Sequence, residues 1–347
     1  MTSYANQAIL VVGGAGFVGS NLVRALLEQQ PERVVVIDNL LSAERSNLPD
    51  HERLEFREGS ISDDAIVNVL QDEFDYIFHL ATFHGNQSSI FDPLRDHENN
   101  TLTSLKLFNH IHGFQRLKKV VYSSAGCAVA EKTFDKAEAT TEAAPVSLYM
   151  DSPYSISKLI GELYGNYYFR QFDMPFVKAR FQNVYGPREV LGAGEWRGTP
   201  ATVWRNVTPT FIWNALHGAA LPVENGGVAT RDFIFVADIV AGLIACGAKG
   251  EPGAVYNLAS GDETSILELA ELVNELTENP TPIALKPART WDNSGCRFGS
   301  TKHAESVIGF RAQVSLRDGL ARTIAWTRQN QSTIEACMAQ HAEHMEQ

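Results

Sequence analysis

The chain has 347 residues, 44% of them hydrophobic and 20% charged, and a formal net charge of −12. That balance suits one large globular unit or two closely associated ones, and an acidic chain without a long Lys/Arg cluster has no electrostatic grip on nucleic acid or an anionic membrane. Cys127, Cys246, Cys296 and Cys337 lie too far apart for a metal-ligand spacing or a disulfide framework, and no apolar run reaches the ~20 residues of a membrane span, so a cytoplasmic protein without a metal site is expected.

The apolar run Ile9–Val12 ends in Gly13-Gly14-Ala15-Gly16-Phe17-Val18-Gly19 and leads into a helical stretch, Ser20–Gln30. Strand, glycine turn and helix in that order make a phosphate cradle. The chain turns sharply where it lacks Cβ atoms, and the helix behind it offers unpaired N–H groups to an anion. A second strand, Val34–Ile37, ends at Asp38, where a carboxylate accepts the ribose hydroxyls of a dinucleotide and repels a 2′-phosphate. Asn39 beside it supplies no cation, so the expected cofactor is NAD rather than NADP. Further strand-like runs at Leu54–Arg57, Tyr76–Leu80, Val120–Ser123 and Phe176–Arg180 alternate with helical stretches at Asp63–Gln71, Asn99–Phe114 and Tyr154–Phe172. The alternation predicts an α/β fold with a doubly wound parallel (Rossmann) sheet whose strand ends carry the chemistry. After Pro187 the sequence becomes rich in Gly, Trp, Thr and Pro, and short helices at Phe211–His217, Ala237–Gly247 and Ser265–Glu278 mix with short strands, which marks a smaller C-terminal substrate-binding lobe. The expected division is a dinucleotide-binding domain over 1–185 to which 228–262 returns, a lobe over 186–227 and 263–335, and a loosely held polar tail over 336–347.

Ser152-Pro153-Tyr154-Ser155-Ile156-Ser157-Lys158 places Tyr154 and Lys158 one turn apart on a helix that begins after a proline. A phenol titrates near ~10 in water, so its use as a base at neutral pH needs a nearby cation, and an ammonium one turn away supplies it while reaching a nicotinamide ribose. The hydroxyl pair Ser123-Ser124 stands at the preceding strand end.

With these residues in place the chain resembles the extended short-chain dehydrogenase/reductase family, in particular its NAD-dependent nucleotide-sugar epimerases and dehydratases, over nearly its whole length. The likeness takes in the glycine turn, Asp38, His79-Leu80-Ala81, Asn100, Tyr154 with Lys158, and the run from Arg180 to Pro187. It continues through Arg231 to Asp238, Tyr256 to Gly261, and Arg297. The resemblance implies that Tyr154 takes a sugar hydroxyl proton, that Lys158 holds the ribose and tunes Tyr154, and that a Ser or Thr at the 120s strand end shares the hydroxyl bond. It implies a cofactor site of Gly13, Gly16, Phe17, Val18, Gly19, Asp38, Asn39, Ser60, Ile61, Leu80, Ala81 and Asn100 with Tyr154 and Lys158. Asn183, Arg231 and Arg297 match the clamp on a nucleotide diphosphate, for which planar guanidinium forks are suited. It further implies a homodimer in which Asn99–Phe114 and Tyr154–Phe172, with Leu102, Leu105, Leu107, Phe108, Leu159, Leu163 and Tyr167, form a four-helix bundle.

Some positions depart from the family pattern. A gapless match at the strand exit sets Ala125 on the catalytic hydroxyl, while one extra loop residue restores Ser124, which is taken as the candidate. No carboxylate occurs from Ser123 to Ala130, whereas 4,6-dehydratases and decarboxylases carry one there, so epimerisation through a transient 4-keto-sugar, with C4 of a UDP-hexose favoured, is the expected reaction. The alternatives are a 3,5-epimerase of the GDP-mannose type, in which Cys127 acts as acid/base, and a non-catalytic NAD- or sugar-nucleotide-binding protein. Cys127 is also read as a plain pocket residue, because Asn206 stands where those enzymes have a Lys. Ser60 replaces the usual Asp beside the adenine. The long loop from Arg188 to Asn206, with Glu195, Trp196, Arg197, Trp204 and Arg205, is expected to cover the sugar, and His84 on the same rim is a candidate for a sugar hydroxyl.

Overall fold

The computed structural model describes residues 4–83, 85–129, 133–289 and 295–345, and of Cys127 the backbone alone. Strands β1 (Ala8–Val12), β2 (Arg33–Asp38), β3 (Leu54–Glu58), β4 (Tyr76–His79), β5 (Lys119–Ala125) and β6 (Phe176–Phe181) alternate with helices α1 (Phe17–Leu27), α2 (Asp64–Val67), α3 (Asn86–Phe91), α4 (Pro93–Asp96), α5 (Thr103–Ile111) and α6 (Pro153–Phe172). Then come β7 (Asn183–Tyr185), α7 (Ala201–Trp204), α8 (Val207–Leu216), β8 (Pro222–Glu224), β9 (Thr230–Arg231), β10 (Phe233–Phe235), α9 (Val236–Lys249), β11 (Val255–Leu258), β12 (Thr264–Ser265), α10 (Ile266–Thr277) and β13 (Ala284–Lys286). Four helices close the chain: α11 (Lys302–Ile308), α12 (Leu316–Gln329), α13 (Gln331–Ala339) and α14 (Ala342–Met345).

Seven strands form one parallel sheet in the order β3-β2-β1-β4-β5-β6-β11. Such strands are covered on both faces, which is why β1 and β2 read as unbroken apolar runs rather than alternating ones. One face packs on α1 and α9 through Leu22, Val23, Leu26 and Leu243, and the other on α5 and α6 through Leu107, Phe108, Ile111 and Tyr168. A third core, with Phe211, Leu221, Phe233, Leu269 and Leu320, lies under the later elements. The winding reverses between β1 and β4, and a crevice for ligands opens at such a switch point.

Local chemistry explains where the helices begin. Ser152 caps α6 by accepting from Ser155 N, and Pro153 follows at the first position. Ser265 and Glu268 form a reciprocal capping box on α10. The helix expected over Asp63–Gln71 shrinks to α2. The stretch expected over Asn99–Phe114 opens as wide π turns over His97–Leu102 before α5. There Thr103 Oγ1 and Ser104 Oγ donate back to the carbonyls of Asn99 and Asn100, both at 2.7 Å, competing with the regular ladder.

The described part of the polar tail packs on the loop beyond β7. Ile334 and Cys337 of α13 are buried with Val190, Leu191, Ala193 and Trp213, and His341 Nε2 lies 2.8 Å from the Gly192 carbonyl. Sequence reading missed this because the last two helices are polar apart from one short apolar edge. The bundle face also needs correction: Leu107 and Phe108 are core residues of the protomer, whereas Leu163 and Tyr167 are 58% and 52% exposed. Among the described residues no helix is long and apolar enough to cross a membrane.

Helix α6 lies so close on the sheet that two of its positions admit no side chain. A Cβ at Gly161 would overlap the Tyr122 hydroxyl, and one at Gly165 would overlap the Phe176 ring. Gly165→Ala is therefore expected to lower stability by ~1–3 kcal/mol through overpacking, read from urea denaturation midpoints.

Candidate active site

A cavity of about 840 Å³ opens at the switch point. The glycine turn after β1 forms one wall, with Gly13, Gly16, Phe17, Val18 and Gly19 facing Leu80 and Ala81 at the exit of β4. Gly13 has φ +83°, and a Cβ on it would run into the Ala81 backbone; one on Gly19 would overlap the Gly13 carbonyl. Gly16 differs, because its nearest neighbour would be Gly13 O at 3.4 Å. The room beside Gly16 is left for a ligand, as a dinucleotide pyrophosphate requires. Gly16 is also the N-cap of α1 without a side-chain cap, so no side chain competes for the first-turn N–H groups. The residues present thus fit the dinucleotide.

Asp38 ends β2 on this cavity. Its Oδ2 accepts from Ala15 N and its Oδ1 from Leu40 N, both at 2.9 Å. Burial raises its pKa, opposed by these backbone donors, so the carboxylate braces the turn and offers its remaining lone pairs to the cavity. Asn39, Ser60 and Ile61 line the same end. Asn100 does not reach it. Its amide oxygen accepts from Phe83 N at 2.6 Å and Thr82 Oγ1 at 3.0 Å, and its nitrogen donates to Asp96 at 2.7 Å and Ser157 at 3.3 Å. Only 2% exposed, Asn100 is a brace between β4, α4 and α6, and Asn99 and Thr103 take the lining positions.

Tyr154 and Lys158 enter from the first turns of α6, and both line the cavity. Lys158 Nζ is buried, donates to Ser123 O at 2.9 Å and lies 5.9 Å from the centre of the Tyr154 ring. The ammonium is thereby fixed to the strand rather than mobile. Complete burial, with the Lys158 charge adding to it, pushes the neighbouring His79 down to about 3, so that imidazole stays neutral behind the wall. Ser124, the candidate hydroxyl, is committed elsewhere. It donates to Glu162 Oε1 at 2.6 Å, and Glu162 is held by Arg180 through two bonds of 2.8 Å. Its proton points into that buried ion pair, so Ser124 faces a substrate only as an acceptor, a correction that the strand count alone did not reveal. The side chain of Cys127 and all of His84 lie outside the described residues.

Asn183, Arg231 and Arg297 share the cavity with Tyr154. Arg231 Nη1 donates to Gly295 O at 2.6 Å, and Arg297 Nη1 is buried with no hydrogen-bond partner. Asp232, adjacent to Arg231, binds Ser260 N at 2.8 Å, Gly261 N at 3.0 Å and Gly299 N at 3.2 Å, which ties together the segments that carry these guanidinium groups. The loop from Arg188 to Asn206 is placed differently from the expectation of a simple sugar cover. Glu195 N bonds Leu41 O at 3.0 Å and Arg205 Nη2 bonds Ser42 O at 2.7 Å, so the loop closes over the edge beyond Asp38. Trp196 stacks on His344 at 4.5 Å, a packing contact, while Trp204, Arg205 and Asn206 line the cavity. Glu189, Asn99 and Thr103 are lining residues that sequence reasoning passed over. Only Glu189 carried a signal, as a carboxylate next to the Tyr185-Gly186-Pro187 run.

The contrast among the glycines gives a measurable outcome. Gly16→Ala is expected to keep the thermal midpoint of the wild type while weakening NAD binding at least about tenfold, or ~1.4 kcal/mol, in a fluorescence titration. Gly19→Ala lowers the midpoint itself.

Residues 9–259 match the model of the NAD dependent epimerase/dehydratase family. The chain is 32% identical to a UDP-glucose 4-epimerase of Mycolicibacterium smegmatis, over 92% of this chain and 98% of that protein. Among solved structures, the Bordetella bronchiseptica enzyme WbmF in complex with NAD+ and UDP is 58% identical with a TM-score of 0.89, covering 99% of this chain and 98% of that one. A UDP-glucose 4-epimerase from Thermotoga maritima with UDP-glucose is 30% identical with a TM-score of 0.84, covering 93% and 99%. The cofactor is NAD, and the chain belongs to the NAD-dependent epimerase/dehydratase family.

Proposed function

We propose that this NAD-dependent nucleotide-sugar epimerase inverts C4 of a UDP-hexose through a transient 4-keto intermediate. The observation that carries this reading is that the dinucleotide turn, the Tyr154–Lys158 pair and the Arg231/Arg297 pair all line one cavity. The names of the relatives above support UDP as the nucleotide and C4 as the carbon. Tyr154, its phenolate favoured by the Lys158 charge, takes the proton from O4 and later returns it to the same oxygen. The glycine turn, Asp38 and Lys158 would hold the dinucleotide, which when bound would supply a reversible acceptor for the C4 hydride. Arg297, whose buried Nη1 lacks a partner, and Arg231 hold the diphosphate with Asn183 while the hexose turns over about that anchor. Ser124 contributes lone pairs toward the hydroxyl. No carboxylate stands from Ser123 to Val129, so the β5 exit supplies no extra acid/base for loss of water or CO₂.

Ile156, Leu163 and Tyr167 are exposed along α6, an apolar stripe that supports pairing of this helix with a second copy in a homodimer. The described cysteines, Cys246, Cys296 and Cys337, are free and buried, which supports the reducing cytoplasm as the compartment.

Proton NMR of UDP-glucose incubated with the protein in D₂O is expected to show the 4-epimer with every ring C–H retained. Deuterium at C3 or C5, or a product lacking water or CO₂, would rule out the C4 reading. Tyr154→Phe is expected to lower kcat roughly a hundred- to ten-thousand-fold with little change in KM. Leu163→Asp is expected to shift the sedimentation coefficient from dimer to monomer; an unchanged coefficient removes α6 from the interface.

A further inference from the structure

Glu189 follows Arg188 in the loop beyond β7, lines the cavity and is 5% exposed. Its Oε1 accepts from Asn206 Nδ2 at 2.5 Å, whereas Oε2 is buried and has no hydrogen-bond partner. The neighbouring cation does not fill that gap: Arg205 Nη2 donates to Ala193 O at 2.6 Å and to Ser42 O at 2.7 Å. A carboxylate oxygen shut away from water without a donor is unfavourable, and buried polar groups in native proteins are as a rule satisfied. The wall of a ligand cavity is the place where the missing donor can arrive with the ligand.

We propose that Glu189 is a recognition residue whose Oε2 accepts a hydrogen bond from a hydroxyl or N–H group of the molecule bound in the cavity. Asn206 fixes the carboxylate plane by holding Oε1, which leaves Oε2 as the acceptor. Two sources can supply such a donor, the dinucleotide and the nucleotide sugar. The second rests on the reading of the site given above. The surroundings make the contact sensitive to pH. Burial pushes the Glu189 carboxyl up to about 7, opposed by the Asn206 bond and the Arg205 charge. Arg205 in turn faces Glu44, from the segment after β2, and Cys337 of α13, while Arg188 on the other side is held by Asn21 and faces Arg24 of α1. A donating ligand needs the ionised carboxylate, so its affinity rises with pH through this range, by roughly tenfold between about pH 6 and about pH 8. A phosphate oxygen at the same place would need the neutral acid and give the opposite slope.

Isothermal titration calorimetry with three probes tests this: NAD+ on stripped protein, and UDP and UDP-glucose on NAD-loaded protein, each at about pH 6 and about pH 8 in two buffers of different ionisation heat. The expected result is that one probe class binds roughly tenfold tighter at the higher pH and releases protons at the lower, and that Glu189→Gln flattens this slope. A slope for NAD+ assigns the contact to the dinucleotide. A slope for UDP and UDP-glucose alike assigns it to the nucleoside, and one for UDP-glucose alone assigns it to the hexose. Flat profiles for all three, an inverse slope, or a slope that survives in Glu189→Gln overturns the proposal. If the Gln variant does not fold, wild-type proton release in the two buffers decides, and its absence overturns the proposal. The C4 reading is judged by the product formed, so the two fail independently.

Discussion

The chemistry of this protein depends on how closely the turn after β1 lies against the exit of β4. Gly13 is in backbone contact with Ala81, with no room for a Cβ between them, and Asp38 pins the same turn from the other side through Ala15. Held at both edges, the turn aims the start of α1 across the gap between β1 and β4. The cavity is the space that remains in front of it. A single methyl group at Gly13 would push the two strand ends apart, and one at Gly19 would push α1 off the turn, either of which moves the anion site away from the groups that must act beside it.

Those groups are carried by a second rigid unit. Helix α6 is seated flat on β5 and β6 because Gly161 and Gly165 leave space for Tyr122 and Phe176, and it is locked by the buried pair Glu162–Arg180. Taking two charges out of water is costly, and here the geometry compensates it: both oxygens are used by Arg180, and Ser124 adds a third bond. Lys158 is tied to the Ser123 carbonyl one turn earlier on the same helix. Tyr154 therefore has a defined distance from the dinucleotide turn through two strands and one helix, with no loop in between.

Much of this is legible in the sequence, and the reasons are local. Unbroken apolar runs punctuated by glycine specify parallel strands, and a Pro followed by Tyr and Lys one turn apart specifies both the helix and its chemistry. What stays hidden depends on contacts distant in the chain. Asn100 matches a family position, yet the wide π turns rotate it into the core and bring Asn99 and Thr103 to the cavity. Ser124 reads as a free hydroxyl until Glu162 and Arg180, far along the sequence, are folded beside it. The loop of 188–206 shows its Trp and Arg residues plainly but not their partners, which lie at Leu41, Ser42 and His344. Glu189 stands near the Tyr185-Gly186-Pro187 run, yet its burial and its bond to Asn206 come only from the fold.

The clasp between the closing helices and this loop bears on how the molecule is made. Gln340 donates to the carbonyls of Gly192 and Gly194, and Cys337 packs against Gly192 so closely that a Cβ there would meet its carbonyl. The sheet, the turn and α6 are all complete in the chain well before residues 331–345 are added. During synthesis the strands and helix that wall the cofactor's crevice are thus all made before residues 331–345, which fasten the loop of 188–206 at its outer rim.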